Sequence, residues 1–129
     1  MINYIRNGKE IYRKSFAMIR SEVNLEFLPI DLADMAVRLI HACGMTDILE
    51  DLVTSLDAVK IGCAALQKGA PILCDTQMVV NGIIRHRLPA NNKVICTLNY
   101  PEVPEMAQQI NNTRSATAVE LWKPLIHGS

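Results

Sequence analysis

Two short apolar runs, each entered through a chain-turning segment, most constrain what this chain can fold into. Pro71-Ile72-Leu73-Cys74-Asp75 follows Gly69-Ala70, and Lys93-Val94-Ile95-Cys96-Thr97-Leu98 follows Asn91-Asn92. Neither run alternates polar and apolar residues, so both read as strands buried on two faces, the habit of a parallel sheet. Helical patterns surround them. Residues Lys9 to about Val23 form a first helix, with Ile11, Tyr12, Phe16 and Ile19 at mixed three-to-five spacing. A second starts at Pro29-Ile30-Asp31, with Asp31 as N-cap, Leu32, Met35, Ala36, Leu39 and Ile40 as one apolar stripe, and Gly44 as a left-handed C-terminal cap. Leu49 to Thr54 reads equally as strand or helix. Ala58 to Lys68 is helical, with Val59, Cys63 and Leu66 as its apolar face and Gly69 as its stop. Thr76 to Gly82, Pro104 to Asn111 and Ser115 to about Trp122, the last capped by Ser115, complete the helices. Strands alternating with helices predict an α/β fold: a layered, mostly parallel sheet flanked by helices, in a single domain over residues 1–129.

A chain of this length can bury roughly two-thirds of its unfolded surface, enough for one core. Its 13 basic and 13 acidic side chains cancel, so no surplus of positive charge points to a nucleic-acid partner. The apolar runs are too short to cross a bilayer, and Met1-Ile2-Asn3-Tyr4-Ile5-Arg6 lacks the apolar core of a signal peptide. Cys43, Cys63, Cys74 and Cys96 are widely spaced, which suits small buried hydrophobes in a reducing compartment better than a disulfide frame or a zinc site. The expectation is a soluble cytoplasmic protein with no membrane partner.

Arg38-Leu39-Ile40-His41-Ala42-Cys43-Gly44 carries the most suggestive chemistry. Arg38 and His41, three residues apart in the last turns of a helix, share a face and can address one ligand. The carbonyl end of a helix favours cationic side chains, so a histidine there suits a general acid; equally, the two residues can be a capping pair. Asp75 closes the first strand, where ligands of parallel sheets gather, or else caps the helix that follows. The loop Asn111-Asn112-Thr113-Arg114-Ser115 offers Thr113, Arg114 and backbone N–H groups to a carboxylate or phosphate, or is an ordinary polar turn. Arg85-His86-Arg87 reads as a solvated surface. Gly-x-Gly-x-x-Gly, a P-loop and a Gly-x-Ser-x-Gly elbow are all missing, and His41, His86 and His127 have no metal spacing. A lone histidine with arginines and hydroxyls suits proton transfer on a polyanionic substrate, the arginines holding carboxylates bidentately.

Six stretches carry a resemblance. Tyr4-Ile5-Arg6, Ile11-Tyr12 with Ser15-Phe16, Val37 through Gly44, Gly69 through Asp75, Val94 through Leu98, and Asn112-Thr113-Arg114-Ser115-Ala116 run in order across nearly the whole chain. They resemble the precorrin-8X methylmutases, or precorrin isomerases, and their cobalt-precorrin-8 counterparts of cobalamin biosynthesis. The resemblance implies an intramolecular methyl shift from C-11 to C-12 of a corrinoid tetrapyrrole, giving hydrogenobyrinate or cobyrinate. It places the family's catalytic histidine on His41 and its substrate contacts on Ser15, Arg38 and Arg114. It also implies a homodimer with the site near the subunit interface, and no cofactor, since substrate and product are isomers. The family continues beyond a point equivalent to Ser129 with a strand and a Gly-Asn-Ala-Pro turn. The resemblance therefore implies an incomplete fold here, with sheet edges and apolar surface left open. A corrinoid-binding protein without catalysis and a partner-dependent structural remnant are the rival expectations.

Overall fold

A computed structural model describes residues 2–127; Met1, which opens the stretch read above for a signal peptide, and the closing Gly128-Ser129 lie outside the described residues. Among the described residues eight α-helices and strands follow one another: α1 (Gly8–Glu22), α2 (Ile30–Cys43), α3 (Ala58–Gln67), β1 (Ile72–Leu73), α4 (Gln77–Gly82), β2 (Val94–Ile95), α5 (Val103–Gln109) and α6 (Arg114–Glu120). The chain divides into two compact units, with the boundary between Lys60 and Ile61.

In the first unit, α1 starts where the Asn7 side chain accepts a hydrogen bond from Glu10 N–H at 3.2 Å. It packs on α2 through Ile19, which is buried together with Val37 and Ile40, while Phe16, Val23, Leu25, Ile48 and Leu49 close around them. Two expectations about α2 need correction. Its cap is Pro29, whose fixed φ of −54° suits the entry and whose carbonyl accepts from Ala33 N–H at 2.8 Å. Asp31 already lies inside the helix, where its carboxylate accepts only from the adjacent Leu32 N–H. The fully buried residues are Ala33, Ala36, Val37 and Ile40. The buried face is thus rotated towards the small residues, and Leu32, Met35 and Leu39 are half-buried. Gly44 ends α2 as expected, at φ +73° with its N–H on the Ile40 carbonyl at 2.7 Å. The ambiguous segment Leu49 to Thr54 is neither strand nor α-helix: only Leu49 belongs to the 3-10 turn Asp47–Leu49, and residues 50–54 have no regular structure.

In the second unit, β1 and β2 pair in parallel, Ile72 opposite Val94 and Leu73 opposite Ile95. The parallel pairing is the expected one; the strands are shorter than the apolar runs that contain them. Cys74, Val80 and Cys96 form the buried cluster beside the sheet, flanked by Ile72, Ile83, Val94 and Leu98. Helices α5 and α6 pack on each other, burying Val103, Ala107, Thr117 and Ala118. Thr97 fastens β2 to this pair: its hydroxyl donates to the Ala118 carbonyl at 2.7 Å and accepts from Trp122 Nε1 at 3.1 Å. All four cysteines are free thiols. Only Cys74 and Cys96 are buried, so Cys43 and Cys63, both exposed, depart from the reading of four core hydrophobes.

Candidate functional site

The first unit brings three of the candidate residues together. Ser15 lies in the middle of α1 and His41 in the last turn of α2, 26 residues apart in sequence, with Ser15 Oγ 2.8 Å from His41 Nδ1. The contact exists because α1 and α2 pack side by side, and Ser15 is on the α1 face one turn before buried Ile19. A hydroxyl can both donate and accept, so Ser15 can serve either protonation state of the ring at Nδ1. That leaves Nε2 as the nitrogen able to meet a ligand. Arg38, one turn before His41 on the same helix face, is exposed and holds its guanidinium carbon 5.5 Å from the centroid of the Phe16 ring. Cationic charge thus stands next to the imidazole without an acidic partner from this cluster, an arrangement fit for substrate carboxylates.

Two aromatic side chains that the sequence reading did not assign to the site complete the surroundings of His41. The Tyr12 ring lies 4.8 Å from the imidazole centroid at a 39° tilt, and the Phe16 ring 5.3 Å away at 80°, edge to face. Their spacing was the available signal: Tyr12 and Phe16 are one helical turn apart and flank Ser15.

The other three candidates belong to the second unit. Asp75 is exposed two residues beyond β1. It does not cap the next helix, because Thr76 does, through a 3.5 Å bond from Val79 N–H to its hydroxyl. Thr113, not Ser115, caps α6: its backbone is extended (φ −70°, ψ 153°), and its hydroxyl accepts from Ala116 N–H at 3.2 Å. Ser115 is already one residue inside the first turn, too late to cap it. The Thr113 hydroxyl is therefore engaged with the helix. Arg114 is exposed and extends towards the end of β2, with one guanidinium nitrogen 3.5 Å from the Leu98 carbonyl. Asp75 thus lies two residues past β1, and the Arg114 guanidinium reaches a carbonyl three residues past β2, so both lie beyond the carboxyl ends of the parallel strands, the usual ligand side of such a sheet. Among the described residues no group of three or more His, Cys, Asp or Glu side chains could hold a metal ion, and no helix is long and apolar enough to cross a membrane.

The family model described as precorrin-8X methylmutase matches residues 10–129. The precorrin-8X methylmutase of Pseudomonas aeruginosa is 56% identical over 129 residues, covering 100% of this chain and 62% of that protein. The precorrin-8X methylmutase of a Sinorhizobium species is 50% identical over 127 residues, covering 98% of this chain and 60% of the relative. A crystal structure of the precorrin-8X methylmutase from Thermus thermophilus superposes with a TM-score of 0.78 at 31% identity, over 95% of this chain and 60% of that one. The chain thus spans about three-fifths of the length of these relatives.

Proposed function

This chain belongs to the precorrin-8X methylmutase family, and we propose that it contributes the proton-handling part of a precorrin isomerase site in cobalamin biosynthesis. The observation that carries this reading is the 2.8 Å contact between Ser15 Oγ and His41 Nδ1, with Arg38 one turn away. In the proposed reaction His41 Nε2 protonates the conjugated macrocycle, which polarises it. The methyl group moves from C-11 to C-12, and the proton returns to Nε2. Atoms and electrons balance without an oxidant or a cofactor, because substrate and product are isomers. Ser15 follows the imidazole through both protonation states. Arg38 and Arg114 bind carboxylate side chains of the corrinoid, with Thr113 shaping the loop that presents Arg114 and Asp75 at the strand end as a further polar contact.

We also propose a homodimer acting in the cytoplasm. Exposed apolar side chains in and before α1, among them Tyr4, Ile11 and Met18, support association, and four free thiols suit a reducing compartment.

Conversion of precorrin-8X, or its cobalt form, to hydrogenobyrinate or cobyrinate tests the reading, followed by the change in absorbance. His41→Ala should lose roughly 10²–10⁴ in rate, the usual contribution of a placed proton donor. It should still bind hydrogenobyrinate, since the arginines remain. Binding by the parent chain with no turnover would select a corrinoid-binding protein instead. Parental turnover by His41→Ala would make His41 a helix-end residue only.

A further inference from the structure

We propose that Tyr12 and Phe16 are positioning residues: they clamp the His41 ring against Ser15, and Phe16 also holds Arg38, so that acid and carboxylate clamp move as one body. The inference rests on the reading of His41 and Arg38 as site residues and adds what sets their orientation. The four side chains form a continuous series of contacts. Tyr12 and Phe16 stand edge to face at 5.7 Å and 86°, both touch the imidazole, and the Arg38 guanidinium lies within cation–π range of Phe16.

Core packing alone does not explain this placement. Tyr12 is 47% exposed and stands outside the group of side chains packed on the buried cluster of Ile19, Val37 and Ile40. What the ring supplies is geometry: an imidazole between two aromatic rings in different orientations has few ways to turn. A single hydrogen bond at Nδ1 fixes one direction and leaves rotation about that bond. Two rings, one tilted at 39° and the other nearly perpendicular at 80°, remove it. Phe16 is the hub, because its ring meets Tyr12, the imidazole and the guanidinium while it also packs against the buried cluster of Ile19, Val37 and Ile40. Through Phe16 the site is tied to the core of its own unit.

The test reads the side-chain nitrogen resonances of His41 by NMR in the ligand-free 129-residue chain. Ser15→Ala supplies the reference for a lost Nδ1 bond, and His86 and His127 serve as internal controls. Tyr12→Leu should move the His41 Nδ1 resonance part of the way to that reference, as the ratio of aligned to unaligned ring falls roughly two- to tenfold. Tyr12→Phe, which keeps the ring, should retain the parental resonance. Phe16→Leu should shift His41 in the same direction. An unchanged His41 resonance in Tyr12→Leu would overturn the proposal. Loss of its cooperative melt would do so too, by marking Tyr12 as core packing; the same loss in Phe16→Leu would remove Phe16. Because no ligand is present, failure of the isomerase reading would leave this result standing. Failure here would likewise leave turnover unaffected as a separate measurement.

Discussion

Replacing Asn92 by Asp probes how the second unit is fastened, and it does so without changing the size of the side chain. Asn92 is 7% exposed, and its Nδ2 donates to the carbonyls of Leu66 and Ala70, both at 2.8 Å, while Oδ1 accepts from Ala90 N–H at 3.1 Å. One amide therefore joins the end of α3, the entry to β1 and the turn before β2. In Asn92→Asp the Ala90 bond survives, but an acceptor faces two carbonyls. The Leu66 carbonyl keeps a second donor, Gly69 N–H at 3.0 Å, so its loss is a net hydrogen bond of about 1 kcal/mol. The Ala70 carbonyl has no such replacement and costs about 1–3 kcal/mol more. With the charge repelled by both oxygens, the expected destabilisation at neutral pH is about 3–5 kcal/mol. Asn92→Ala, uncharged, should cost about 2–4 kcal/mol. The aspartate variant adds a pH signature. Burial beside carbonyls raises the folded-state pKa above the unfolded value of about 3.9. The deficit should therefore be smallest below about pH 4, where a protonated carboxyl can donate to Ala70, and should grow as pH rises through the folded pKa. Urea unfolding followed by far-ultraviolet circular dichroism at acid and neutral pH measures both quantities. A deficit below about 1 kcal/mol, or one of equal size at the two pH values, would refute the argument.

Arg38→Ala and Arg114→Ala should each weaken hydrogenobyrinate binding by about 1.5–3 kcal/mol in titration calorimetry, and unchanged affinity in both would remove them from the site. Gly44→Ala should destabilise the first unit by about 1 kcal/mol in a thermal melt, because φ is +73° there; no atom lies within 4 Å of the added methyl, so the cost is backbone strain alone. Burial, reinforced by neighbouring Cys96 and Asp75, pushes the Cys74 thiol up, so little thiolate forms at neutral pH. Brief alkylation read by peptide mass spectrometry should therefore label the exposed Cys43 and Cys63 well before Cys74, whose rate should climb as pH rises; uniform labelling would contradict this.

Parallel pairing of β1 and β2 was legible because uninterrupted apolar runs behind Gly-Ala-Pro and Asn-Asn leave few alternatives. Helix caps were harder, since several residues near each start can cap. Backbone conformation chooses among them: Thr113 is extended where α6 begins, and Pro29 enters α2 with a φ it cannot vary. Asn92 shows a different limit. In the sequence it is turn punctuation before a strand; in the fold it is a buried amide whose partners are 22 and 26 residues away. No local pattern encodes which distant carbonyls will converge on it.

The site follows the same division between what is local and what packing decides. Arg38 and His41 could be paired from the sequence because a helix puts residues three apart on one face. The Ser15 partnership could not be obtained from spacing, and came only through the resemblance, which gave Ser15 a substrate contact and not a bond to His41. Tyr12, Phe16, Ile19 and Val23 fall at i, i+4, i+7 and i+11, one regular apolar stripe whose spacing does not say what each part of it meets. Here α1 serves two purposes: Ile19 enters the core with Val37 and Ile40, while Tyr12 and Ser15 turn towards the end of α2, and Phe16 belongs to both groups. Exposed Tyr12 is thus accounted for by the imidazole beside it: one regular stripe packs at its Ile19 end and positions at its Tyr12 end, a division that spacing alone does not encode.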